Sequence, residues 1–487
     1  MPVKVLFIFS VEVGSSIEKP LVNHKATHEG ISIISAVLKR HSHKTRLLVL
    51  GRNRADANWS LIRKTVEEFQ PGVIAFTSVA TAFPYIATVA KKIRSKYPNP
   101  YLLIGGPHVS LNPQQAIDAG FDAVCIGEGE FPTLELVTQL DQGESPSGIP
   151  NLWIRKSNTL EKNPTRSFVQ DLDSLPFSDR EIWEEWTAAP PKATVTVTLA
   201  RGCPFVCSYC SNHALSRLAT GKYVRFRSPA SIIDEIRALL KRYPKVRRFH
   251  LEAETVGVRP KWALELCTSL NELNDTLSSP LSFGCNLRIT PKLNADELFA
   301  AFVKANITHV DIGLESGSER VRNEILRRHY SNEDVMRAVE SARNYGISVA
   351  FFNMIGLPGE TYEDFLETVR VNRACNPDSH FTSIFYPYPG TDLHKLCEDQ
   401  GLLGGKLDPE KERRVAQLDL PTFSAKKIQK SFNWFEYSVY RGQKPLFEIM
   451  KTLFWVRVES SPFLGAVKEH VRQINILTKL KKKLVTK

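Results

Sequence analysis

The run RGCPFVCSYCSNH, residues 201–213, follows directly on the strand-like TVTVTLA of residues 194–200 and sets Cys203, Cys207 and Cys210 at intervals of four and three residues. Three thiolates on one short loop can all turn inward, and soft thiolate ligands select iron–sulfur clusters or zinc. A structural zinc site is coordinatively closed and needs a fourth ligand at a conventional spacing. Only His213 stands close by, three residues after Cys210. An iron–sulfur cluster is the favoured guest, with zinc, or three buried unpaired cysteines, as the alternatives. A cluster held by three cysteines leaves one iron able to bind a small molecule through an amine and a carboxylate.

The CxxxCxxC spacing, with Tyr209 just before the last cysteine, resembles the signature of radical S-adenosylmethionine enzymes. The resemblance implies a [4Fe-4S] cluster on Cys203, Cys207 and Cys210 whose open iron chelates S-adenosylmethionine, with Tyr209 near that cofactor. An electron from the cluster then cleaves the sulfonium to methionine and a 5′-deoxyadenosyl radical.

The chain has 487 residues, enough for two or three domains with full cores, and its apolar and charged fractions, 42% and 24%, are those of a globular protein. No run approaches the ~18 apolar residues of a membrane span. The opening MPVKVLFIFS reads as a first strand and not as a signal peptide. Eight cysteines, three of them clustered, fit a reducing cytoplasm better than a disulfide framework, and Cys125, Cys267, Cys285, Cys375 and Cys397 read as buried small hydrophobes. The net charge of +12 would suit nucleic acid, anionic lipid or an acidic substrate. Much of it lies in patches such as Lys241 to Arg248 and the tail Lys479 to Lys487, which read as solvated faces.

Up to residue 142, strand-like runs at residues 3–9, 45–51, 72–78, 101–106 and 123–127 alternate with helical patterns such as GISIISAVLKRH and Trp59 to Phe69. Continuous apolar strands separated by helices predict a parallel sheet covered on both faces, with ligands at the carboxyl ends of its strands. The loops there carry Thr77 and Ser78, then GGPHVSLNP from Gly105, then GEGEFPT from Gly127. Ahead of a radical cluster motif, they resemble the cobalamin-binding domain of cobalamin-dependent radical S-adenosylmethionine enzymes. In that resemblance Thr77, Ser78, Gly105, Gly106, Pro107, His108, Gly127, Glu128, Gly129 and Glu130 line the slot for the nucleotide tail and lower corrin face. The D-x-H-x-x-G motif of histidine-coordinated cobalamin is absent; SVEVGSSIEKPLVNHKATHEG stands in its place. His24, His28 and His108 are the remaining imidazoles near the corrin, and for His28, just before the first helix, a capping role is expected. A domain that has lost cobalamin is the alternative.

Residues 143–192 read as a linker, with a hairpin in NLWIRKSN and its continuation, then the crossing LDSLPFSDRE that rests on the second domain. Trp183 and Trp186 are expected to pack at the domain boundary. Residues 193–395 predict a partial parallel barrel, whose rim residues carry the chemistry. Here HLEAETVG, CNLRI and IGLESGSE resemble family phrases. They imply contacts to S-adenosylmethionine from Glu252 or Glu254 to its ammonium, from Arg288, and from Glu315 and Ser316 to ribose or other polar groups. MIGLPGET and YPYPGT resemble two further signatures that shape backbone near adenine and substrate.

Residues 396–487 carry aromatic-rich helical patterns and are expected to cap the barrel, with contact to a membrane surface or lipidic substrate as an alternative. Methylthiotransferases of the superfamily carry further amino-terminal cysteines, whereas this chain has only Cys125 there; no nucleic-acid module is visible. The expected fold class is α/β: a doubly wound Rossmann-like cobalamin-binding domain (1–142), a (β/α)6 TIM-type radical barrel (193–395) and a helical carboxyl-terminal region (396–487). The expected function is radical methyl transfer to an unactivated carbon of a small-molecule or lipid substrate, in the cytoplasm or at a membrane surface. An electron donor such as flavodoxin or ferredoxin is implied, and nucleic acid is not. Cyclisation or rearrangement without methyl transfer, and a non-catalytic cobalamin or redox sensor, are the alternatives.

Overall fold

The computed structural model describes residues 2–12, 19–21, 27–187, 194–405 and 407–460. It comprises two compact units: Met1–Ile312 with Ser341–Ser348 and Pro387–Gln400, and Gly313–Glu340 with Val349–Tyr386 and Gly401–Lys487.

The first unit begins with β1 (Val5–Val11), α1 (Glu29–Arg40), β2 (Thr45–Gly51), α2 (Ala55–Phe69), β3 (Val73–Thr77) and α3 (Phe83–Lys96). There follow β4 (Tyr101–Gly105), α4 (Pro107–Leu111), α5 (Pro113–Asp118), β5 (Ala123–Cys125) and α6 (Glu130–Asp141). The strands order β2-β1-β3-β4-β5 and all pair in parallel. All five predicted strands form, each within about two residues of its expected ends. They lack polar alternation because both faces are covered: Ile8, Leu48, Ile74 and Ile104 are fully buried. The order reverses at β1, between β2 and β3, which makes the adjoining carboxyl-end crevice the expected ligand site.

The predicted hairpin forms as β6 (Leu152–Arg155) and β7 (Leu160–Lys162), but it is no free linker: β6 pairs antiparallel with β5 and extends the first sheet. The crossing after it is also docked. Trp183 is fully buried and donates from Nε1 to Ser32 Oγ at 2.8 Å, and Trp186 joins the same core. The buried Arg180 donates to Thr196 O at 2.9 Å and lies 3.4 Å from Glu235, so the connector holds the next sheet by its backbone and by a buried charge pair.

That sheet begins with β8 (Thr194–Thr198); a separate two-stranded ribbon of β9 (Ala200–Arg201) with β10 (Arg225–Phe226) follows, the cysteine loop and α7 (Ser211–Leu215) lying between its strands. Next come α8 (Pro229–Arg242), β11 (Arg248–Glu252), α9 (Pro260–Asp275), β12 (Ser282–Leu287), α10 (Ala295–Lys304) and β13 (Ile307–Glu315). β8, β11, β12 and β13 pair in parallel in that order. The Ser228 side chain caps α8, as its Ser-Pro start implies. The alternation continues with α11 (Asn332–Asn344), β14 (Ser348–Ile355), α12 (Tyr362–Cys375), β15 (Ser379–Ile384) and α13 (Asp392–Asp399), then ends in α14 (Ala425–Tyr440) and α15 (Leu446–Ser460). β14 and β15 pair in parallel. Six strands in βα succession and a helical end are the architecture expected of the partial barrel. Among the described residues no helix is long and apolar enough to cross a membrane.

Candidate functional site

A cavity of about 410 Å³ opens at the carboxyl ends of the first sheet. Thr77, Gly105, Gly106, Pro107, Gly127, Glu128, Gly129 and Glu130 line it, as do His28, Phe168, Arg201 and Arg225 of the β9–β10 ribbon, and Gly202 and Tyr223 of the segment between its strands. The glycines are there for space. Gly106 has φ +107, and a Cβ on it would lie 2.7 Å from Ser78 O; one on Gly129 would lie 2.9 Å from Ile34 Cδ1.

Two predicted lining residues face elsewhere, which corrects their expected role. Ser78 is buried and its hydroxyl donates to Val79 O at 2.8 Å. His108 packs against Phe83 at 4.8 Å and shares a hydrogen bond with Gln115 Oε1 at 3.1 Å, because α4 begins at Pro107 and carries the ring away from the cavity. His28 fulfils the capping expectation: its Nδ1 accepts from Ile31 N at 3.3 Å, leaving Nε2 to carry the proton and face Thr77 Oγ1 at 3.4 Å. Burial lowers its pKa, so the ring stays neutral. His24 lies outside the described residues.

Glu128 and Glu130 meet partners the sequence did not disclose. Arg201 donates to Glu128 Oε1 at 2.9 Å and to Glu130 Oε1 at 2.5 Å. Arg225 reaches both Glu128 oxygens, at 2.8 and 3.1 Å, and Val169 N donates to Oε2 at 2.8 Å. Burial would raise the Glu128 carboxyl, but the two guanidiniums and the Val169 amide outweigh it and hold the pKa below the usual range. Glu130, on the wall of the same cavity, is buried with Oε2 unpartnered. The only sequence hint was the arginine two places before Cys203.

On the loop that Arg201 opens, Cys207 is buried while Cys203 and Cys210 are half-buried. Burial pushes the Cys210 thiol up to about 11 and raises Cys203, with the Cys207 charge adding to both shifts and placing the three sulfurs in one electrostatic neighbourhood. The three cysteines would hold a cluster as thiolates, the form that ligates iron. Among the described residues no three His, Cys, Asp or Glu side chains converge as one metal ion requires, and His213 Nε2 lies 2.6 Å from Arg217 Nη2. The set fits the cluster of the expected reading.

Arg288 donates from Nη1 to Cys207 Sγ at 2.9 Å and lies 3.7 Å above the Phe205 ring. Of the acidic pair, Glu254 is the one whose charge acts on Cys203 and Cys210; surrounding protein and then Glu252 raise its own pKa against a bond to Asn212. Glu252 instead accepts from Asn286 Nδ2 at 3.0 Å and lies 3.3 Å from His250. Tyr209 is half-buried on the same loop.

In the second unit, Glu315 folds back over Gly313, where a Cβ would lie 2.6 Å from its Oε1, and faces Arg328 at 3.6 Å. Ser316 is fully buried, with Oγ accepting from Ser318 N at 3.2 Å and lying 3.3 Å from Thr368 Oγ1. It holds the turn and has no surface for a ribose, which corrects its expected role. Sequence reading also passed over Glu360. Buried under the turn of MIGLPGET, it accepts from Gly356 N and Leu357 N at 2.5 and 3.1 Å, and burial pushes its pKa up to about 8.

A sequence model of the radical SAM superfamily matches residues 197–371, and one of the B12 binding domain matches residues 22–137. An uncharacterized methyltransferase of Pyrococcus horikoshii is 28% identical over 379 residues, spanning 77% of this chain and 79% of its own. An anaerobic magnesium-protoporphyrin IX monomethyl ester cyclase of Rubrivivax gelatinosus is 27% identical over 380 residues, 76% of this chain but only 66% of the cyclase. Among solved structures, the radical S-adenosylmethionine methyltransferase TsrM from Kitasatospora setae, with cobalamin and a [4Fe-4S] cluster bound, superposes with a TM-score of 0.64. That match covers 82% of this chain and 79% of TsrM at 17% identity, a likeness of fold.

Proposed function

We propose, for a chain that belongs to the cobalamin-binding radical S-adenosylmethionine enzymes, methyl transfer to an unactivated carbon of a small-molecule substrate. The observation that carries this reading is the shared cavity: strand-end loops of the first sheet and the ribbon that opens the cysteine loop line one space, and Glu128 ties them together. When bound, the cluster with S-adenosylmethionine supplies a radical that removes hydrogen from the substrate, and cobalamin carries the methyl group. The chain's own residues do the positioning. Cys203, Cys207 and Cys210 hold the cluster, and Arg288 places a cation on the Cys207 sulfur. Glu254, beside the other two thiols, is suited to the ammonium of S-adenosylmethionine. Thr77, Gly105 and the turn from Gly127 to Glu130 would line the space for the corrin, and Gly106 and Gly129 let the strand-end loops pack closely around it.

The test is anaerobic purification from cells supplied with cobalamin, followed by turnover with methyl-labelled S-adenosylmethionine and reduced flavodoxin. About four irons and one corrin per chain are expected, with label appearing in product. Iron without corrin after reconstitution sinks the cobalamin half, and zinc in place of iron sinks the whole. The relation to a cyclase favours one second reading, carbon-skeleton change without methyl transfer; deoxyadenosine with unlabelled product would select it. Leu446, Phe447 and Met450 stand exposed on one stretch of α15, which supports lipid contact, and co-sedimentation with anionic vesicles tests it. The basic tail expected to assist lies outside the described residues.

A further inference from the structure

The second unit contains a cavity of about 550 Å³ that none of the assignments above uses, except that Glu315 borders it. Its size suits a molecule of a few fused rings. β14 and β15 run in register with Phe352 opposite Phe381, so the two rings leave the sheet on the same face and stack at 5.1 Å with planes 20° apart. Yet Phe352 is 40% exposed and Phe381 58%. A stacked aromatic pair presented to an open cavity is a platform for a third flat ring.

The polar lining is arranged about that platform. His380 is fixed by stacking on Tyr440 at 5.5 Å and lies 2.8 Å from Glu436 Oε2. Both acids of the lining therefore have a facing partner, Glu436 with His380 and Glu315 with Arg328. The loop before α14 adds Arg413 and Arg414 to the wall. Arg413 holds φ +61, a conformation a non-glycine residue adopts only where its surroundings impose it. Its own carbonyl accepts from Ile384 N at 2.9 Å, pinning this loop to the end of β15. Two guanidiniums on a pinned loop suit the planar, bidentate recognition of a carboxylate.

We propose that this cavity is the substrate pocket and that it takes a flat aromatic or conjugated molecule bearing a carboxylate, stacked on Phe381 and Phe352 and held through Arg413 and Arg414. The term substrate rests on the methyl-transfer reading; the binding does not. Glu315, which the family resemblance sets against S-adenosylmethionine, borders the same space.

The test uses the full-length, anaerobically purified protein with its cofactors, titrated with pyrene-1-carboxylate and followed by pyrene fluorescence, with neutral pyrene-1-methanol as the comparison. One-to-one binding of the carboxylate is expected, about tenfold tighter than the alcohol. Phe381→Ala, Phe352→Ala and Arg414→Ala should each weaken it about tenfold, whereas Met336→Ala, exposed on α11 and outside the cavity, should leave it unchanged. Phe381 is mostly exposed, so its replacement leaves the core intact, and iron content with melting temperature verifies each variant. Equal affinity for acid and alcohol, no saturable binding, or binding indifferent to Phe381→Ala and Arg414→Ala overturns the proposal. Iron and corrin measured on the same samples report on the family reading separately, since the fluorescence needs no turnover.

Discussion

Replacing Glu128 by alanine should loosen the clamp on the cluster ribbon, and the structure sets the size of the effect. The carboxylate receives Arg201, Arg225 and the Val169 amide, and its side chain is 18% exposed against 22% and 4% for the two arginines. Removing one partner of a buried pair costs about 3–5 kcal/mol. Arg201 keeps Glu130, and Arg225 keeps the carbonyls of Val169 and Tyr223, so the lower end applies, about 3 kcal/mol. For a unit of this size about 2 °C of melting temperature goes with each kcal/mol, so a fall of about 6 °C is expected. Glu128→Gln keeps the shape without the charge and should lose about half as much. The assay is thermal unfolding of the cofactor-free protein followed by circular dichroism. Linkage adds a signature. The folded pKa of Glu128 is depressed, so its stabilisation is complete above the unfolded value of about 4.3 and disappears as pH falls through the folded one. The gap between the native chain and the alanine variant should therefore close in acid. If the cofactor-free alanine variant melts within about 1 °C of the native chain at neutral pH, or the gap persists in acid, the clamp is refuted and Glu128 reverts to a plain ligand contact.

Three further outcomes follow from the same geometry. Arg288→Met removes the donor on Cys207 Sγ; the cluster's reduction potential should fall in an EPR-monitored titration and deoxyadenosine formation should drop about tenfold, a charge-assisted bond's worth, and an unchanged potential would dismiss the contact. Gly202→Ala places a Cβ against the carbonyl of Tyr223 at φ +83; iron per chain should fall below half at a melting temperature several degrees lower, about 1–3 kcal/mol of strain. The folded pKa of Glu360 is raised to about 8, so its stabilisation is complete below about 4.3 and is lost as pH rises through 8. Glu360→Gln should flatten the decline in denaturant midpoint between about pH 5 and 8, and a slope equal to that of the native chain would place the proton elsewhere.

The cysteine motif, the five strands of the first sheet and the later βα succession were legible because each is written in local spacing and local hydrophobic period. Ser228 as a cap and His28 as a cap were legible for the same reason, since a cap is settled within a few residues. The misreadings share a cause as well. Ser78 and His108 stand where strand-end loops carry ligands, but a strand end fixes only the backbone. Whether the side chain faces the crevice depended on Pro107 starting a helix and on Gln115 and Phe83 being there to meet the ring. Ser316 sits in a phrase that resembles a family signature, yet Thr368, on α12, takes its hydroxyl.

By itself, then, the sequence determined the class of fold, the two kinds of domain and the loop with the cysteine motif, because ligand spacing and hydrophobic period lie within a few turns of chain. Only the tertiary structure decided that Glu128 clamps Arg201 and Arg225, 73 and 97 residues away, that the hairpin after residue 150 extends the first sheet, and that Phe352 and Phe381 face one cavity. Charge pairs and facing rings are agreements between distant segments. Their energies come from burial and approach, and no property of either segment alone records which partner it will meet.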